Sequence, residues 1–337
     1  MRHRTMRWWL AAILFIAITV AGAARISRPR SLHLDVPSSA IGQAEGAAAL
    51  SIDRIRDHVH GLASAQSRVS GYAGARNAAR LVADELRKMG ITNVDVEQFD
   101  VVVPVVRSAG LAAGDVVIPL HPLWPNLART SQTAPEGISA PVVDAGSGRE
   151  ADIAGKRLRD SIVIMDWNSN MEWLAVPEFG GKAVIFRASP KTGGVLARNK
   201  FLAVPANIPR YYVEEKDLPL LDSLLQSAPP QVTVKCDMAW DRVKTENILA
   251  RISGGDTPPD NRDPDKAPIV FLAHYDSISV VPDLSPGAEQ ACSPAVLLEL
   301  TRFLLNLPEK PGRPVYVLFT GGHGQALAGI TRFVRRL

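Results

Sequence analysis

Cysteine is scarce: Cys236 and Cys292 are the only two in 337 residues. That number excludes a disulfide-framed scaffold, and the spacing matches no zinc ribbon. One bridge stays open for an exported protein, beside two isolated structural thiols. Internal repeats, heptads and low-complexity blocks are also missing, which excludes solenoids and coiled coils. A basic face is lacking too. Six arginines, Arg2, Arg4, Arg7, Arg25, Arg28 and Arg30, precede residue 31 with no acid or lysine among them. Subtracting those six from the net charge of +4 leaves residues 31–337 at −2. No nucleic-acid partner is expected from that balance.

What is present is an ordinary globular composition, 46% hydrophobic and 21% charged, in a chain longer than one compact domain usually is. The N-terminal arginines flank "WWLAAILFIAITVAGAA", residues 8–24, an uncharged apolar stretch at the lower limit for crossing a bilayer. We read residues 1–30 as an uncleaved anchor that leaves the main domain extracytoplasmic. Secretion after cleavage near Ala21–Ala24 is the alternative. Residues 31–50, small and polar, read as a linker.

Folded sequence begins near Ile52. "AGARNAARLVADELRKM" places Ala78, Leu81, Val82, Leu86 and Met89 at helical spacing, with Gly90 as the stop. "VDVEQFDVVVP" predicts a strand over 94–104. Residues 107–235 change character: short β-type runs such as "APVVDAG", "SIVIMDW" and "KAVIFRA" alternate with turns, and one helix is predicted over 217–225. "TENILARISG" predicts another strand, followed by a polar loop over 254–268. Then "PIVFLA" and "PVYVLFTGG" read as buried strands joined through the helix "SPAVLLELTRFLLNL", with Ser293 as its cap and Pro294 at its first position. Apolar strands joined in this way predict a parallel βαβ unit, whose ligands gather at the carboxyl ends of strands. His274 and His323 both fall at such ends.

The order "TENILARISG", "PIVFLAHYDS", "PGAEQACSPAVLLELTRFL" and "RPVYVLFTGGHGQALAGITRF" resembles the first half of the catalytic domain of zinc-dependent exopeptidases of peptidase family M28. "LASAQSRVSGYAGARNAARLVADELRKMG" resembles the helix that opens that fold. "GKRLRDSIVIMDW", "FGGKAVIFRA" and "IPRYYVEEKDLPLL" resemble its protease-associated (PA) insert. The resemblance covers residues 51–337. It implies an α/β, aminopeptidase-like mixed sheet flanked by helices, with residues 51–106 and 236–337 in the peptidase-like domain and 107–235 in the β-rich insert.

The resemblance also implies zinc hydrolase chemistry on a peptide or protein substrate, in which two zinc ions polarise a carbonyl and acidify a bridging water. Position by position, His274 matches the first histidine ligand and Asp276 the carboxylate that orients it. The metal-bridging aspartate falls on Gln290, a neutral amide, with Glu289 beside it as a candidate substitute ligand. Where the family has paired glutamates, this chain has Gly321, Gly322 and His323. His323 is a candidate ligand or base; a strand-end histidine kept for hydrogen bonding is the plainer reading. The family draws a further Asp and a last His from sequence beyond Leu337, so the zinc site is expected to be incomplete and the half-sheet to expose an open edge unless a partner or a C-terminal segment covers it.

Three readings follow: a zinc-dependent aminopeptidase with an altered site, a peptidase-like binding or scaffold module without catalysis, or a truncated product of a longer peptidase gene. Other features are expected to be structural. Trp167, Trp173, Phe179 and Phe186 are expected to pack the insert, "RFVRR" to form a solvated helix face, His58 and His60 to lie at the surface, and Cys292 to be structural.

Overall fold

The computed structural model describes residues 50–126, 129–189, 194–201, 205–253 and 267–336. The expected anchor and linker, and residues 254–266 of the expected polar loop, lie outside them. Among the described residues no helix is long and apolar enough to cross a membrane.

Helices α1 (Ile52–Leu62) and α2 (Ala73–Lys88) precede strands β1 (Val94–Ala113), β2 (Val116–Pro119), β3 (His121–Pro122), β4 (Ile138–Ala140) and β5 (Val142–Asp144). There follow α3 (Glu150–Ile153), β6 (Ile162–Asp166), α4 (Ala175–Glu178), β7 (Ala183–Arg187), α5 (Gly194–Phe201), β8 (Arg210–Val213) and α6 (Leu218–Ser227). The chain continues with β9 (Val232–Ser253), β10 (Ile269–His274), α7 (Ala288–Leu305), β11 (Val315–Thr320) and α8 (Ala328–Val334).

These strands build two sheets. The first has the order β10-β11-β9-β1-β2, with β4 also on β9; the second has the order β3-β8-β7-β6-β5. In the first sheet β10 and β11 run parallel with α7 between them in sequence, the βαβ unit that the apolar runs predict. β9 is antiparallel to both β11 and β1. In the second sheet β5 to β8 are parallel, and short β3 closes the edge antiparallel to β8.

β1 and β9 form one long ribbon, from Val94 opposite Ala250 to Ala112 opposite Thr233, with a register shift between Val106 and Ser108. The strand predicted over 94–104 therefore continues to Ala113. Tyr72 pins the irregular stretch: its hydroxyl donates to the Pro104 carbonyl (3.2 Å) and accepts from the Val106 N–H (3.1 Å). A bulge of this kind re-aims a strand without ending it. The ribbon so serves both sheets. Near one end Ile248 and Ala250 join the first core; near the other Leu111, Val234, Cys236 and Met238 pack on Ile162, Ile164, Ile185 and Tyr211 of the second sheet.

α2 lays Ala78, Ala79, Val82, Ala83 and Leu86 on the first sheet, beside Ala291, Ala295 and Leu298 of α7. Its start is tight. A Cβ on Gly74 would come within 2.0 Å of the Ser67 carbonyl oxygen, so only glycine fits there. The second sheet is buried on both faces, which is why its strands read as continuous apolar runs. Ile162 and Ile164 face the ribbon, whereas Val163 and Met165 face Trp173, Phe186, Val280 and Val281.

Three local expectations are corrected. α7 starts at Ala288, with Gly287 before it at φ +62°. Ser293 is therefore no cap, and Pro294 lies inside the helix: the good helix formers of "AEQA" outweigh the proline signal once Gly287 turns the chain. β10 is an edge strand rather than a buried one, with Val270 and Leu272 40% and 43% exposed. Of the four expected packing aromatics, Trp167, Trp173 and Phe186 are buried, but Phe179, at the exposed end of α4, is 52% exposed.

Candidate functional site

The parallel pairing of β10 and β11 sets His274 opposite Thr320. β11 then turns through Gly321 and Gly322, the latter at φ +70°, and delivers His323 beside His274. The two imidazoles stack face to face, with centroids 3.8 Å apart and planes 13° apart. His323 is exposed and His274 half-buried. Burial, the neighbouring His323 and the charge of Arg68 push His274 down to about 4, so it is neutral at physiological pH.

Asp276 lies under this pair, 1% exposed. Its Oδ2 accepts from the Ser70 hydroxyl (2.9 Å) and from the His323 N–H (3.1 Å). Its Oδ1 is buried without a hydrogen-bond partner. Burial pushes Asp276 up to about 6, against those hydrogen bonds. The carboxylate therefore holds the His323 backbone and Ser70 and makes no hydrogen bond to the His274 ring. Ser70 also accepts from the Gly322 N–H (3.1 Å) and contacts the Thr245 hydroxyl (3.2 Å).

The loop from β10 to α7 is clamped twice. Arg68, fully buried, donates to the carbonyls of Tyr275 (3.0 Å), Pro286 (2.7 Å) and Gly287 (3.0 Å). Burial lowers it to about 10, an effect that the charge of Asp276 offsets in part. Gln290 makes the second clamp: its Oε1 accepts from the Ile278 N–H and its Nε2 donates to the Ile278 carbonyl, both at 3.2 Å. That two-way contact requires an amide, since a carboxylate has no donor for the carbonyl. Glu289, one position earlier, is exposed and makes no contact with the histidine pair.

Of the residues singled out from the sequence, His274, Asp276 and His323 come together and Glu289 does not. Sequence reasoning missed Ser70 and Arg68. The one available signal was the charged Arg68 amid the small residues of "ASAQSRVSGY". It also missed that the side chain at Gln290 is committed to the backbone. Both cysteines are free, Cys236 buried and Cys292 exposed.

A two-zinc centre needs several anionic or imidazole groups converging on each ion. Among the described residues no group of three or more His, Cys, Asp or Glu side chains is placed to hold a metal. Asp276 Oδ1 is buried without a partner, and the Gln290 side chain holds the Ile278 peptide group. The described residues do not fit a two-zinc centre.

Comparison with known proteins bears on the fold. Residues 247–336 match the family model for peptidase family M28. Two solved structures of BSAP, a zinc aminopeptidase from Bacillus subtilis, superpose with TM-scores of 0.56 and 0.55 at 21% and 19% identity. Each match covers 87% of this chain and 66% of BSAP. A peptidase M28 precursor from Shewanella amazonensis matches with a TM-score of 0.50 at 18% identity, over 84% of this chain and 66% of its own. The chain thus spans just under two thirds of the length of these structures. No curated protein matches it in sequence. At such identities the likeness concerns the fold, and the chain carries the zinc-aminopeptidase-like fold of peptidase family M28 with an incomplete set of metal ligands among its described residues.

Proposed function

We propose that this chain is a peptidase-like module that binds a peptide or protein partner without hydrolysing it, held at the membrane by residues 8–24 with residues 51–337 on the extracytoplasmic side. One observation carries the reading: the residues at the ends of β10 and β11 are occupied with each other. His274 is stacked on His323, Asp276 holds Ser70 and the His323 N–H, and Gln290 holds Ile278. The second sheet serves as a PA-type insert in this reading, supported by its place in the chain between β1 and β9. The tether rests on the apolar stretch and its flanking arginines.

Elemental analysis of the purified full chain, with His274→Ala as the control, tests it. No zinc above the level of the variant at saturating supply, and no release of p-nitroaniline from leucine p-nitroanilide, is expected. Stoichiometric zinc that disappears in His274→Ala, together with hydrolysis, would overturn it.

A second reading is favoured by the open edge of β10, where Val270 and Leu272 are exposed and no strand pairs on the outer side among the described residues. Here a further segment or a second polypeptide completes the sheet and brings the missing ligands. It expects zinc and hydrolysis to copurify with that second component from the native host, and to be lost when the chain is isolated.

A further inference from the structure

A cavity of about 690 Å³ lies between the second sheet and the β10–α7 loop. The second sheet gives one wall, with Trp167 and Tyr212, and the loop gives another, with Val281 and Leu284. Its volume is that of an ordinary small-molecule site, and an apolar lining with few polar groups is the usual composition of one. None of its lining residues belongs to the histidine pair, so what it binds is independent of the reading above.

The two walls are tied together. His121, on β3 and 8% exposed, places Nδ1 2.8 Å from Asp283 of the loop and Nε2 3.1 Å from Glu214, just after β8. This buried bridge ties the loop to the second sheet. Trp167 and Tyr212 meet edge to face, with centroids 5.1 Å apart; Trp167 is buried and Tyr212 partly exposed, so Tyr212 offers most of the aromatic surface.

Among the described residues two charged side chains line the cavity, Glu214 and Glu215, and both are acids. Glu214 is already shared by His121 and Lys216. Glu215 is exposed, and its carboxylate has no ion pair or hydrogen bond among the described residues. Lys200 does not line the cavity; it is fully buried, with its ammonium 5.1 Å from the Trp167 ring centroid and 5.0 Å from that of Phe186. An apolar chamber with one unengaged anion at its wall complements a single type of small ligand.

We propose that this cavity binds a small amphipathic cation, an aromatic or aliphatic body carrying one protonated amine, with Glu215 taking the ammonium and Trp167, Tyr212 and Leu284 the body. Aromatic faces add attraction for a cation beyond their apolar area. Seated there, such a ligand touches the loop that carries Asp276 and Gln290 at its ends, so occupancy bears directly on the arrangement of that loop.

The test is calorimetric titration of the full chain at low salt with 2-phenylethylamine, 2-phenylethanol and 3-phenylpropionate, which share a ring and differ in charge. The amine is expected to bind about tenfold tighter than the alcohol, through the charge-assisted contact, and the acid most weakly. Glu215→Gln, at an exposed position that does not endanger the fold, is expected to bring amine and alcohol to within about twofold, and added salt to do the same in the parent protein. Ala197→Phe, which fills the cavity from α5, is expected to weaken all three ligands. Equal affinity for amine and alcohol, amine binding unchanged by both variants, or no binding of any probe would each overturn the proposal.

Discussion

His274 and His323 stand at the ends of two parallel strands with their rings stacked 3.8 Å apart and nearly parallel, at 13°. Two imidazoles in this arrangement cannot both be charged without strong repulsion, and burial adds to the cost for His274. His274 is therefore held neutral, and its neutrality can be measured.

In an NMR titration of the imidazole resonances, His274 is expected to stay neutral well below the ordinary value of 6.5, titrating at about 4. His323→Ala removes one of the causes of that depression and should raise it. Because the folded pKa lies below the unfolded one, the unfolded chain takes up this proton first, and His274 costs stability as pH falls from 6.5 to about 4. A His274 that titrates at its ordinary value would contradict the stack.

Asp276 has the opposite sign. Its folded pKa is raised from 3.8 to about 6, so the ionised carboxylate penalises the fold, and stability falls as pH rises through that window. Asp276→Asn keeps acceptors for Ser70 and the His323 N–H and removes the charge. Denaturant unfolding at pH 8 is expected to show a gain on the order of 1–3 kcal/mol. A loss of that size would mean that the carboxylate holds a cation.

Gln290→Glu leaves the Ile278 carbonyl without its donor and sets a carboxylate against it. A cost of about 1–3 kcal/mol is expected, visible in chemical denaturation at pH 7 and reduced at a pH where the new acid is protonated. If zinc restores the lost stability in this variant, the loop retains a metal geometry that the parent residue suppresses.

Glu299 staples α1 to α7. It is 1% exposed and accepts from Arg54, Arg302 and the Ser51 N–H. Burial alone would raise it, but those hydrogen bonds outweigh burial and bring it down to about 2. Its contribution is present above the ordinary value of 4.5 and is lost as pH falls toward about 2. Glu299→Gln should cost about 1–2 kcal/mol at pH 7, after allowance for the half-exposed Arg54, and almost nothing at the acid end of the range.

The His121 bridge loses strength in the other direction. Burial lowers this imidazole, yet the hydrogen bonds and charges of Asp283 and Glu214 outweigh burial and raise it above 6.5. Its stabilisation is complete below 6.5 and fades as pH rises through the folded pKa. Amide hydrogen exchange in residues 279–287 should quicken over that rise, and His121→Gln should abolish the pH dependence.

Local pattern made much of the fold legible. The apolar stripe of α2, the alternating start of β1 and the runs of β10 and β11 each carry a period or a length that one kind of backbone satisfies. The family resemblance followed from their order. Boundaries were less legible: α7 starts before Ser293 because Gly287 can adopt a left-handed turn, and β1 passes Pro104 because Tyr72 and the opposing β9 support the ribbon there.

The candidate site was legible only in part. His274 and His323 are visible as strand ends, since a parallel pair must bring its carboxyl ends together. What those side chains do was not visible. Whether Gln290 faces a metal or a peptide group depends on the path of a loop held by Arg68, and Arg68 is distant in sequence from the carbonyls that it binds. The sequence by itself determined where many of the strands and helices form and that β10 and β11 run parallel through α7, because hydrophobic periodicity is a local property of the chain. Only the tertiary structure decided that Asp276 is buried, that the imidazoles stack and that His121 bridges two walls, because burial and charge pairing arise between segments that no sequence spacing relates.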